Sequence, residues 1–130
     1  MKTIRDPVHG DIRLTAEEIE ILDSPQMQRL RGIKQLGSAF LVYPGAVHTR
    51  FEHSLGAMWM AKRICESLRN EGAGDLDEAE ERLVCVAALL HDVTHIPFGH
   101  TLEDERRILP RHDASLERLL HFVDRGELGR

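Results

Sequence analysis

The sequence predicts an all-α bundle preceded by a short β-hairpin. Three observations predict it. Apolar residues recur at helical spacing from about Thr49 to Asn70, and again from about Glu78 to His91. Helix-start signals stand at Thr15 and at Ser24-Pro25. Only residues 3–14 show a period close to two, around the turn signals Asp6-Pro7 and His9-Gly10-Asp11.

In chain order, Ile4, Val8, Ile12 and Leu14 are the apolar positions of the hairpin. Thr15 caps a first helix, with Glu17 and Glu18 in its first turn and Ile19 and Leu22 on one side. Ser24-Pro25 opens a second, with an apolar stripe of Met27, Leu30 and Ile33, while Gln28, Arg29 and Arg31 face elsewhere. Gly37 to Val47 reads as a loop with a turn at Tyr43-Pro44-Gly45. The long helix from Thr49 carries His53, Leu55, Trp59, Ile64 and Leu68 at helical spacing. Residues 71–78 form a polar connector. The helix after it turns increasingly apolar through Leu83–Leu90, the pattern of a buried central helix that delivers His91-Asp92 from the core. A loop with a short helix near Leu102–Ile108 follows, then a last helix from about Asp113 to Phe122.

Length and composition exclude several classes. With 130 residues the chain makes one small domain. The apolar fraction of 42% is that of a globular protein, not a disordered tail. No apolar run approaches the ~18–20 residues of a membrane span, and MKTIRDPVHG lacks the apolar stretch of a signal peptide. Cys65 and Cys85 sit in apolar helical patterns and read as reduced core residues of a cytoplasmic protein. The net charge is −5, with nine Lys/Arg against seven Asp/Glu in residues 1–65 and eight against fifteen beyond. That balance disfavours a duplex nucleic-acid surface but permits a small phosphate-bearing ligand held by a few placed cations.

Five of the eight histidines are the candidates for chemistry. His91 and Asp92 follow directly on eight apolar residues. Burying a carboxylate costs several kcal/mol unless it is paired or binds a metal. Imidazole and carboxylate together suit Fe, Mn, Zn or Mg. A helix end with Asp92 bonded to backbone amides and His91 as a satisfied core histidine explains these two residues equally well. The context adds a third donor, His53 in RFEHSLG, on another helix. Two further imidazoles, His95 and His100, follow in LLHDVTHIPFGH, where titration near pH 7 suits proton transfer or phosphate neutralisation. Loop capping and hydrogen bonding are the plainer roles for that pair. His9, His48 and His121 read as turn or surface residues.

RFEHSLG followed by LLHDVTHIPFGH resembles the HD superfamily of metal-dependent phosphohydrolases. DPVHGDI, DSPQMQRLRGIKQLG and PGAVHTRFEHSLG extend the likeness, in order and spacing, to its dNTP triphosphohydrolase branch, over residues 4–122. The resemblance implies an HD-domain helical bundle, a divalent metal ion held by His53, His91 and Asp92, and active-site histidines at His95 and His100. His112-Asp113 falls where the family has a catalytic His followed by Glu; here the acid is one methylene shorter. Arg50 matches an arginine that contacts the α-phosphate, and Gln35 and Leu36 match residues of the sugar and base pocket. Asp23, Gln28, Arg29 and Arg31 lie where regulated members bind an activating nucleotide. A solvated helix face with i,i+3 and i,i+4 pairs is the simpler account of those four.

The implied activity is metal-assisted hydrolysis at the α-phosphate, giving nucleoside and triphosphate. The family's fourth metal ligand is a later Asp, and Asp124 is the one Asp left after Asp113. Residues 1–130 are therefore expected to form a single HD domain that is incomplete on its C-terminal side. The alternatives are a module that binds metal or nucleotide without turnover, and an HD phosphodiesterase or nuclease. Apolar surface left uncovered by such a short bundle predicts a homo-oligomer.

Overall fold

The computed structural model describes residues 2–72 and 76–124. Strands β1 (Lys2–Asp6) and β2 (Gly10–Leu14) pair antiparallel, with Lys2 opposite Leu14 and Asp6 opposite Gly10. The turn between them is closed by Asp6, whose Oδ1 accepts from the amides of Val8 and His9 at 2.9 and 2.8 Å. Ile12 and Leu14 point inward and are fully buried.

Helix α1 (Ala16–Asp23) starts with a reciprocal cap: Thr15 accepts from the Glu18 amide, and Glu18 accepts from the Thr15 amide. Helix α2 (Pro25–Arg29) is capped by Ser24 with Pro25 in its first turn, as expected. It is shorter than the apolar stripe suggested. A 3-10 turn, Leu30–Gly32, continues it and still buries Leu30. The 37–47 loop contains another 3-10 turn, Ala39–Leu41.

Helix α3 (Arg50–Glu71) is the spine of the molecule, and Thr49 and Glu52 repeat the reciprocal cap at its start. Helix α4 (Glu78–Leu90) opens with a third such pair, Asp77 and Glu80, and packs along α3. The core is built from Leu22, Met27, Leu30, Phe51, Leu55, Met58, Cys85 and Leu89 closing over Ile12 and Leu14. Cys65 and Cys85 are free and buried, in line with their apolar settings.

The expectation of a buried central helix is corrected for α4. Leu83 is 70% exposed and Val84 43%; only Cys85 and Leu89 are buried. The apolar run is longer than the one stripe that α3 covers among the described residues. Two C-terminal expectations also shift. The short helix near Leu102–Ile108 is a five-residue turn of π type, Thr101–Glu105, and α5 begins at Leu116 and runs to Asp124.

Candidate metal centre and histidine cluster

The cap at Thr49 puts Arg50 in the first turn of α3 and His53 one turn later. The preceding segment is bound to the same helix start. The Gln35 amide donates to the His48 carbonyl at 3.0 Å, and the Arg50 amide donates to the Ile33 carbonyl at 2.8 Å. Across from them α4 ends, and His91 and Asp92 emerge at its C-terminus.

The three expected metal donors converge. His53 Nε2 and His91 Nε2 stand 3.1 Å apart, and Asp92 Oδ2 lies 3.7 Å from the first and 3.6 Å from the second. Donors about 2.1 Å from a metal are separated by about 3.0 Å in an octahedron and about 3.4 Å in a tetrahedron. This triangle therefore fits a divalent ion. His91 Nδ1 is 2.8 Å from the Ala88 carbonyl, so the proton belongs on Nδ1 and the Nε2 lone pair faces the site. Burial lowers the pKa of His53 more than Asp92 raises it, which keeps a neutral, ligand-competent ring.

Asp92 is buried, and burial alone would push its pKa up. The hydrogen bond from Arg50, with charge from His91, Arg50 and His95, outweighs that and holds the carboxyl below its ordinary value. Arg50 Nη1 donates to Asp92 Oδ2 at 2.6 Å, and Nη2 reaches the Gln35 carbonyl at 3.4 Å. Arg50, matched by resemblance to a phosphate contact, is thus 2% exposed and engaged with the carboxylate.

A second cluster adjoins the first. His112 turns Nε2 toward Asp92 Oδ1 at 3.5 Å, and its Nδ1 donates to Glu103 Oε2 at 2.9 Å. The rings of His95, His100 and His112 pack at centroid distances of 4.3 to 5.4 Å. His95 is fully buried and its pKa is lowered to about 4, chiefly by desolvation, against a backbone hydrogen bond that raises it. Burial would raise the Glu103 pKa, but hydrogen bonds from His112 bring it below the ordinary value.

The other expected residues fall outside this gathering. Asp113 pairs with Arg111 through two bonds, 2.9 and 2.8 Å, on the surface; that bonding takes its pKa to about 2. The acid that meets His112 is Glu103 instead, nine residues earlier. Leu36 is 52% exposed, and Gln35 is half-buried, with an Oε1 that has no hydrogen-bond partner among the described residues.

Of the four positions matched to a nucleotide site, Gln28 and Arg31 form an exposed i,i+3 pair, Arg31 Nε donating to Gln28 Oε1 at 2.8 Å. Asp23 lies 3.6 Å from Lys2, and Gln28 donates to the Leu22 carbonyl. Arg31 lies over the Phe51 ring at 3.6 Å. Arg29 is half-buried, donating to the Val93 carbonyl at 2.8 Å with Phe122 beside it. That contact corrects the plain solvated-face account for Arg29.

Sequence reasoning missed Glu103 and Arg118. Arg118 Nη1 approaches Glu103 Oε1 at 3.3 Å, and Nη2 donates to the Thr94 carbonyl. The available signal was the spacing of Glu103 three residues after His100, which places both on one side of a helical turn.

The fold is a helical bundle in which two imidazoles and a carboxylate gather where they could hold a metal ion. The chain belongs to the HD-domain family: the family model described as HD domain matches residues 50–127. It is similar to uncharacterized protein MJ1154 of Methanocaldococcus jannaschii, 53% identical over 103 residues, covering 79% of this chain and 21% of that protein. It is also similar to deoxynucleoside triphosphate triphosphohydrolase SAMHD1. The Mus musculus protein is 41% identical over 139 aligned positions, covering 98% of this chain and 21% of its own length. The Homo sapiens protein is 47% identical over 105, covering 79% and 17%. The chain spans about a fifth of the length of these relatives. Among the described residues no helix is long and apolar enough to cross a membrane.

Proposed function

We propose that the chain carries the metal-binding half of a phosphohydrolase site acting on nucleoside triphosphates, deoxynucleotides foremost. The observation that carries this is the donor triangle of His53, His91 and Asp92, with the histidine cluster against its open side. The similarity to a deoxynucleoside triphosphate triphosphohydrolase supports the substrate class.

His53, His91 and Asp92 would hold the divalent ion, of the Fe, Mn, Zn or Mg group. When bound, it supplies Lewis acidity and a water of lowered pKa. Arg50 fixes the rotamer of Asp92 and keeps it ionised. Its Nε and Gln35 Oε1 are buried polar atoms without partners among the described residues, suited to a polar substrate group. His95, His100 and His112 form the face that meets phosphate charge, and His100, at the exposed rim, is placed to give a proton to a leaving oxygen. Exposed Leu116, Leu119 and Leu120 on α5 support assembly with further copies; a clean monomer by light scattering overturns that part.

The test is hydrolysis of dNTPs by the purified chain with Mn²⁺, read as release of triphosphate. Activity that disappears in His91→Ala and Asp92→Ala is expected. A metal-loaded chain that releases neither triphosphate nor phosphate overturns the reading. One observation favours a second reading, a module that binds without turnover. Arg50 is buried with its Nη1 taken by Asp92; retained nucleotide binding with no product would select it.

A further inference from the structure

We propose that Arg29 and Arg118 are a pair of positioning residues. One comes from α2 and one from α5, and together they clamp two successive carbonyls of the turn that links Asp92 to His95. Their purpose in the reaction rests on the function proposed above; the clamp itself can be judged without ion or substrate.

The turn has a backbone problem to solve. Helix α4 ends at Leu90, and the chain that leaves it is buried at Asp92, Val93, Thr94 and His95. Carbonyls at a helix end have no partner within the helix, and buried ones need donors from elsewhere. The Ala88 carbonyl meets His91 Nδ1 at 2.8 Å. The Leu90 carbonyl accepts from the Val93 amide and the Asp92 carbonyl from the His95 amide, both at 2.9 Å. The next two carbonyls, of Val93 and Thr94, receive no backbone donor among the described residues. Arg29 Nη2 donates to the first at 2.8 Å, and Arg118 Nη2 donates to the second. These carbonyls belong to the peptide planes before and after Thr94. Holding both planes fixes the dihedrals at Thr94, and with them the direction from the metal ligand Asp92 to the His95 ring.

Arg29 is a costly choice for packing alone. Burial, then the charge of Arg118, lowers its pKa, and its Nε is buried without a hydrogen-bond partner among the described residues. An apolar side chain would cover the Phe122 ring without desolvating a charge. What Arg29 supplies is a rigid donor aimed at one carbonyl, and positive charge at the C-terminal end of α4, where the helix dipole favours it. It reaches that carbonyl from 64 residues earlier in the chain. Arg118 ties the same turn to the histidine cluster. Its Nη1 lies 3.3 Å from Glu103 Oε1 and 3.3 Å from the Pro110 carbonyl, and Glu103 in turn holds His112 at 2.9 Å.

The experiment is amide hydrogen exchange of the full chain, with Co²⁺ affinity as a second readout. Arg29→Met keeps an apolar stem beside Phe122 and removes the donor; Arg118→Met does the same on α5. Each is expected to speed exchange at the Val93 and His95 amides by about 10- to 100-fold, one charge-assisted hydrogen bond expressed as an opening equilibrium. Buried amides in the middle of α3, such as those of Leu55 and Met58, should keep their native rates. Co²⁺ affinity should fall about tenfold or more. Arg29→Lys, which retains a charged donor, should recover much of the protection. Arg29→Gln and Arg118→Gln serve in place of a Met variant that fails to fold. Unchanged exchange at Val93 and His95 overturns the proposal. So does an equal acceleration of all amides, the mark of a merely structural role, and so does local acceleration with unaltered Co²⁺ affinity. A native chain that releases no triphosphate contradicts the proposed reaction and leaves the clamp to be decided by the exchange pattern.

Discussion

Arg50 and Asp92 form a buried ion pair, Nη1 to Oδ2 at 2.6 Å, between residues 42 apart in sequence, with side chains 3% and 4% exposed. The pair joins the start of α3 to the end of α4, and it orients the one carboxylate of the metal triangle. Arg50→Met removes the partner and leaves Asp92 charged in a buried place. Such uncompensated charges cost about 3–5 kcal/mol. A urea midpoint lowered to that extent, with weaker metal binding, is expected. An unchanged midpoint would mean that the pair carries no net stability.

Ion binding to the triangle should stabilise the fold. A ligand at a hundredfold its dissociation constant contributes about 2.7 kcal/mol. Thermal melts with and without Mn²⁺ should separate for the native chain, and the separation should shrink in His53→Ala.

Thr49→Ala tests the cap that places Arg50 and His53. Losing it should cost about 1 kcal/mol. The same change should lower metal affinity, because the first turn of α3 carries both residues. Unaltered affinity at reduced stability would show that the site tolerates fraying.

Gly37 has φ +55, and a Cβ there would meet the Phe98 carbonyl carbon at 3.2 Å. The 37–47 loop thus lies backbone to backbone against the turn that follows His95. Gly37→Ala should cost about 1–2 kcal/mol from the left-handed backbone alone. Chemical denaturation measures it.

His95 makes stability depend on pH. Its pKa is lowered from 6.5 to about 4, with burial the main cause. Between those values the unfolded chain takes the proton and the folded chain does not. Stability is therefore complete above about pH 6.5 and falls as pH drops toward 4. The loss is on the order of 3 kcal/mol. Lowered pKa values at Asp92 and Glu103 act in the same direction below the ordinary carboxylate range. His95→Gln should flatten the urea midpoint between pH 7 and pH 4.5.

Helix starts were readable because their signals are local: Thr15 with Glu18, Ser24 with Pro25, and the Thr49 segment all lie within a few residues of the turn they begin. His53, His91 and Asp92, which the motif resemblance singled out, have their ligand-capable atoms within 4.8 Å of one another. The exposure of α4 was not readable, because an apolar run does not state how many neighbours will cover it. Glu103 was hidden inside the charged string TLEDERR, where a buried acid and its solvated neighbours look alike. Asp113 was favoured by adjacency to His112, yet neighbouring side chains leave the backbone in different directions, and Arg111 takes its carboxylate.

The reciprocal caps at Thr15–Glu18, Thr49–Glu52 and Asp77–Glu80 bear on the order of assembly. Each fixes a helix register with residues three apart, whereas the metal donors His53 and His91 are 38 apart. Helical segments can thus form early from nearby partners, while the donor triangle closes only when α3 and α4 dock. Folding kinetics followed by far-UV circular dichroism and by Co²⁺ absorption should then separate into a fast phase without metal sensitivity and a slower one that the ion accelerates.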